Sequence, residues 1–132
     1  MKALIFLFLI SLSLSCNTNK QISLNEKESS MIAQLSEIKQ EDKFIEGSNG
    51  WEGYSGCKNP IEKRAYSDNI NSLIDNLIKA IEEKESVSHL KNLIDEHSLN
   101  GDKLLEEFKA DTDESEIQFM YFERIKKVCE IS

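Results

Sequence analysis

Apolar residues recur along this chain at helical spacing and almost nowhere at strand spacing. Leu24, Met31, Leu35, Ile38 and Ile45 follow one another at sevens, fours and threes, which puts them on one helical face. Ser23 and Glu26 have capping-box spacing at its start, and Gly47 is expected to stop it. Glu28 and Asp42 interrupt the face, so this helix needs partners to be stable.

A second helix is expected from Asn59, which can cap it, with Pro60 at the first position and Glu62 at the positive end. Its face is the strongest in the chain: Tyr66, Ile70, Leu73, Leu77 and Ile81, flanked by Ile74 and Ile78. A short helix should restart near Ser86 or Ser88 and carry Val87, Leu90, Leu93 and Ile94. Asn100, Gly101 and Asp102 are expected to break it, because Asn-Gly readily takes left-handed backbone conformations. A further short helix then holds Leu104, Leu105 and Phe108. After the acidic run "DTDESE", Ile117, Met120, Tyr121, Arg124, Ile125 and Val128 mark the last helix, with Phe119 and Phe122 widening its apolar surface. The expected fold is an all-α small helical bundle of about four to five helices. A Gly/aromatic-rich loop joins the first two.

That loop, "GSNGWEGYSGCKNP", contains Gly47, Gly50, Gly53 and Gly56, the only tryptophan (Trp51) and the only proline. Trp51 and Tyr54 are candidate protein-binding residues, since aromatic anchors dominate interfaces. Both could instead fold back and close the bundle. Phe119, Tyr121 and Phe122 pose the same choice between an exposed patch and core.

The first sixteen residues change the picture from fold to compartment. Lys2 precedes an apolar run from Ala3 to Leu14, too short for a span of roughly 20 residues but suited to a secretory signal. The run ends in Ser13-Leu14-Ser15-Cys16, a small residue directly before a cysteine, as in a bacterial lipobox. Residues 1–15 therefore read as a lipoprotein signal peptide, 16–23 as a polar tether lipidated at Cys16, and 24–132 as a single helical domain. An ordinary signal cut nearby would leave Cys16 a spare thiol, and an uncleaved anchor is the third reading. Several acyl chains, at about 0.8 kcal/mol per buried methylene, would hold the protein on a membrane durably.

Charge then narrows the partners. The net charge of −8 becomes one unit more negative once Lys2 is removed. Such a surface excludes nucleic acid as a partner and loose adhesion to anionic lipid. If Cys16 is lipidated, Cys57 and Cys129 remain, and an extracytoplasmic setting makes a disulfide between them the expected state. A loop that long is associated with about 4–5 kcal/mol in the chain-entropy model. The other reading is two free thiols, Cys129 filling core beside Ile125 and Val128.

Catalytic chemistry is sparse. His89 and His97 read as solvated helix residues, without the spacing of a metal motif. Asp111, Asp113 and Ser115 match a calcium loop at its first, third and fifth positions. Glu116 then stands where the glycine belongs and Phe122 where the bidentate glutamate belongs. The run reads better as acidic residues at a helix N-terminus, with Asp111, Thr112 or Asp113 as cap. No phosphate-binding glycine loop and no nucleophile elbow occurs. The expectation is a non-enzyme without cofactor, metal or small-molecule substrate.

The Ser-Cys lipobox, the tether beginning "CNTNK" and the Lys/Glu/Ile/Asn-rich helical domain resemble the outer-surface lipoproteins of Borrelia-type spirochaetes, whose lipoboxes are looser than those of enteric bacteria. Some Bacteroidetes lipoproteins begin in similar fashion. The spirochaetal resemblance implies an outward-facing protein, lipid-anchored in the outer membrane, that binds a host complement regulator, matrix or serum protein. The alternative is a periplasm-facing envelope lipoprotein with a structural role or a bacterial protein partner.

Overall fold

The structure, a computed structural model, describes residues 23–132. The signal peptide, Cys16 and all of the tether but Ser23 lie outside the described residues. Helix α1 spans Glu26–Gln40, α2 Pro60–Glu82, α3 Val87–Glu107 and α4 Thr112–Val128, and no strand occurs among the described residues. Among the described residues the fold is an all-α bundle of four helices.

Asn25, rather than Ser23, caps α1. Its Oδ1 accepts from Glu28 N at 2.8 Å, and Glu28 Oε1 accepts from Asn25 N at 3.0 Å. Glu28 also receives the Lys84 ammonium from just beyond α2. The helix ends at Gln40, well before Gly47, because Glu41 is extended and Lys43 folds back under the helix end. Lys43 Nζ donates to the Lys39 and Glu41 carbonyls, both at 3.0 Å, meeting oxygens that a helix terminus leaves free. Ile45 is consequently exposed and takes no part in the α1 face.

Helix α2 begins as its sequence dictates, with Asn59 Oδ1 accepting from Ile61 N and Glu62 N. Its buried face holds Tyr66, Ile70, Leu73, Ile74, Leu77 and Ile81. Helix α3 is capped by Ser86 and runs unbroken through Asn100 and Gly101. The expected break there is absent for a packing reason. A Cβ on Gly101 would meet the Gln118 side chain at 2.7–2.9 Å, so the glycine permits close approach of α4 rather than a turn.

Consecutive helices pack against each other, and α4 closes onto α1 and α2. The pairs Lys39–Asp75 and Glu28–Lys84, then Lys27–Glu130 and Glu41–Arg124, run in opposite senses along the elements they join, as antiparallel neighbours require. Leu35, Ile70, Leu73, Ile74, Leu77, Ile117 and Ile125 form the dry centre. Each contributes on the order of 1.5–3 kcal/mol by burial. No helix among the described residues is long and apolar enough to cross a membrane.

The bundle has two distinct ends. Asn25, Met31, Ile81, Leu90 and Cys129 gather at one. The loop from Tyr54 to Asn59, together with Phe108 and the start of α4, forms the other.

Candidate functional site

The glycine-rich segment is a folded cap on the bundle. Gly47 N donates to Tyr54 O at 3.0 Å and Cys57 N to Phe44 O at 2.8 Å, joining its two arms. Ser48 Oγ accepts from Ile45 N at 2.9 Å and donates to Ile45 O at 2.8 Å. Gly56 has φ +89° where the arms cross, and a Cβ there would stand 2.9 Å from Glu46 N. Phe44, itself at φ 60°, is fully buried, with its ring centroid 5.2 Å from Tyr66 and 5.6 Å from Tyr121. Neither Phe44 nor Lys43 is marked by periodicity, which is why sequence reasoning misses them.

Of the two candidate contact aromatics, Tyr54 is buried and Trp51 half-buried. Their rings stack with centroids 5.8 Å apart. Tyr54 is therefore corrected from contact residue to core: its ring closes the bundle end and has no surface left for a partner. Trp51 stays partly exposed. Tyr121 and Phe122 belong to the core as well, whereas Phe119 is 62% exposed.

Behind Tyr54 lies a pocket of about 270 Å³, with Cys57, Glu62, Phe108, Asp111 and Glu114 on its walls. The Tyr54 hydroxyl donates to Glu114 Oε1 at 3.4 Å, and the Tyr66 hydroxyl donates to Glu62 Oε1 at 2.6 Å. Burial raises the Glu114 carboxyl above the usual carboxylate range, and the like charges of Glu62 and Asp111 add to this. Burial and Glu114 likewise push the Tyr54 phenol upward. The Cys57 thiol donates to Asn59 O at 3.6 Å, and burial raises its pKa, reinforced by Glu62 and Glu114. Asp111 is the N-cap residue of α4, but its side chain makes no capping bond. No group of three metal-ligating side chains converges among the described residues.

The expected disulfide is not formed. Cys57 and Cys129 are free, Cys57 beside the start of α2 and Cys129 at the opposite end beside Ile81. The 23 residues of α2 span about 34 Å between those ends, several times the reach of a disulfide. Cys129 fills core, and burial lifts its thiol to about 11.

Two further clusters hold the helices in register. Arg124 reaches Glu41 with both guanidinium nitrogens, at 2.6 and 2.9 Å, and Asn49 Oδ1 at 2.7 Å, tying α4 to the loop. That pairing holds the Glu41 carboxyl below its ordinary range. Burial lowers the nearby Lys43 ammonium to about 8. Between α2 and α3, Asn69 Oδ1 accepts from Asn100 Nδ2 at 2.8 Å and lies 3.2 Å from His97 Nδ1. Asn69 Nδ2 donates to the His97 carbonyl at 3.0 Å. His97 thus belongs to an inter-helix polar layer rather than to the solvated face expected for it, while His89 is exposed as expected.

A family model matches residues 25–132, from the N-cap of α1 through the whole bundle. No curated protein and no solved structure matches the chain. The match covers most of the sequence, and the chain belongs to the family described as a domain of unknown function, DUF4844.

Proposed function

We propose that this protein is a lipid-anchored, non-catalytic binding protein of a bacterial envelope, held at Cys16 and presenting the loop end of its bundle to a partner protein. The observation that carries the reading is the position of the two ends. The chain enters α1 at Asn25, beside Cys129, while the pocket and Trp51 sit at the opposite end. An anchor at Cys16 would leave that far end directed away from the membrane.

The pocket's chemistry supports binding over catalysis. A nucleophilic cysteine needs a depressed pKa and a nearby base, and Cys57 is pushed the other way by burial and by carboxylates. The resemblance of the signal and tether to spirochaetal surface lipoproteins supports an outward-facing protein with a host partner.

Metabolic labelling with a fatty-acid analogue should mark the wild-type chain and not a Cys16→Ser variant. Unlabelled wild type would reject the anchor. Protease added to intact cells should remove the protein if it faces outward. Full protection would reject the host-binding reading and favour a periplasmic partner. Pull-down from serum with the purified chain would then identify the host partner.

A further inference from the structure

We propose that Asn49 is a site of spontaneous covalent modification. Its carboxamide converts, through a cyclic imide formed with the Gly50 backbone nitrogen, to the carboxylate of aspartate or isoaspartate. The inference is independent of the function proposed above.

The chain has two Asn-Gly pairs, Asn49-Gly50 and Asn100-Gly101. Glycine has no side chain to shield its own amide nitrogen, so both pairs share the same intrinsic chemistry. The fold separates them. Asn100 lies inside α3, where its Nδ2 donates to Asn69 Oδ1 at 2.8 Å and Gly101 is buried against Gln118. A helix interior holds the glycine nitrogen in its hydrogen-bond ladder and blocks the backbone rotation that ring closure needs.

Asn49 has the opposite arrangement. Its Oδ1 accepts from Arg124 Nη1 at 2.7 Å, whereas Nδ2 is buried and makes no hydrogen bond among the described residues. The residue sits in a single 3-10 turn, Ser48–Gly50, at φ 59° and ψ 23°. Gly50 follows at φ 75°, is exposed, and would meet nothing within 4 Å if it carried a Cβ. Its nitrogen donates to the Gly47 carbonyl at 3.1 Å, a turn bond that must open for the ring to close. The open space around Gly50 permits that rotation.

The Gly50 nitrogen gives its proton to hydroxide and attacks Asn49 Cγ, and the carbonyl electron pair moves onto Oδ1. The Arg124 guanidinium, already donating to Oδ1, stabilises that oxyanion. Collapse of the intermediate breaks the Cγ–Nδ2 bond. The nitrogen takes up a proton and leaves as ammonia, with no hydrogen bond to the protein to give up. Water then opens the imide at either carbonyl. One water is consumed and one ammonia released, without oxidant or reductant. The new carboxylate stands beside Arg124, which already holds Glu41 with both guanidinium nitrogens. Isoaspartate also adds a methylene to the backbone just before Trp51.

The test incubates the purified full chain in detergent at mildly alkaline pH, folded and in urea. Peptide mapping follows both asparagines, and enzymatic methylation specific for isoaspartate identifies the product. In the folded chain Asn49 should convert, and Asn100 should react about tenfold more slowly or less, because it waits for local opening of α3. In urea the two should react at similar rates. Arg124→Gln should slow Asn49 about tenfold in the folded chain, with Asn100 still protected as the sign of an intact bundle. If Asn100 becomes reactive in that variant, Glu41→Gln, which keeps Arg124, decides instead: Asn49 should react at least as fast as in the wild type. Earlier conversion at Asn100, an unchanged Asn49 while the unfolded chain is fully converted, or an undiminished rate in an intact Arg124→Gln bundle would overturn the proposal. A slower Asn49 in Glu41→Gln would overturn it as well.

Discussion

Gln118 fills the space in front of Gly101, so closely that a Cβ on the glycine would lie 2.7 Å from Gln118 Oε1. The amide is buried and leans on Asp102 through a 3.4 Å hydrogen bond. This contact sets the approach of α3 to α4 and explains why an Asn-Gly pair sits inside a helix.

Gly101→Ala places two effects in opposition. Alanine gains about 0.5–1 kcal/mol over glycine in a helix interior, while overpacking costs about 1–3 kcal/mol. In the wild-type background the substitution should be neutral to destabilising. In a Gln118→Ala background it should stabilise by about 0.5–1 kcal/mol, and urea unfolding of the wild type and the three variants measures the coupling.

Phe44 pins the loop to the core through Tyr66 and Tyr121. Phe44→Ala should cost about 3–5 kcal/mol, the range for emptying a buried aromatic site. Trp51→Ala should cost less, about 1–2 kcal/mol, since the indole is half-buried. Thermal melts will rank them, and an inverted order would remove Phe44 from its anchoring role.

Cys57 and Cys129 should give one intact mass with and without reductant. Iodoacetamide at pH 8 should label half-buried Cys57 before Cys129, whose thiol is raised to about 11 and is almost fully enclosed. Cys129 should react only on unfolding. Peptide mapping after timed labelling separates the two sites.

Glu114 makes stability depend on pH in a defined sense. Its folded pKa is raised above the ordinary 4.5 by burial and then by neighbouring like charge. The folded state therefore holds this proton more tightly, and its contribution is present below 4.5 and lost as pH rises through the folded value. Glu114→Gln mimics the neutral acid. It should raise the melting temperature at pH 7, with the gain shrinking toward pH 4. An equal gain at both values would contradict the assignment.

The order and chemistry of the helices were written in local sequence. The ladder from Tyr66 to Ile81 and the Asn59-Pro60 start specify α2 without reference to any neighbour, because cap and periodicity act within a few residues. Tertiary contacts decided the rest. Asn25 caps α1 in a local box with Glu28, and the bundle adds Lys84 to that glutamate from beyond α2. Lys43 and Phe44 end the same helix by folding beneath it, a move with no periodic signature.

The candidate site divides in the same way. Its loop is visible in the glycines and aromatics at positions 47–57, but its carboxylates come from α2 and α4, 52 positions apart as Glu62 and Glu114. Only antiparallel packing brings those helix starts together around Tyr54. The same packing sends Cys57 and Cys129 to opposite ends, which cysteine counting alone could not reveal. Sequence by itself determined the helical class and the start and buried face of α2, but not the end of α1 or the continuity of α3 through Asn100 and Gly101. The tertiary structure decided which turns meet, because that depends on which apolar faces bury one another.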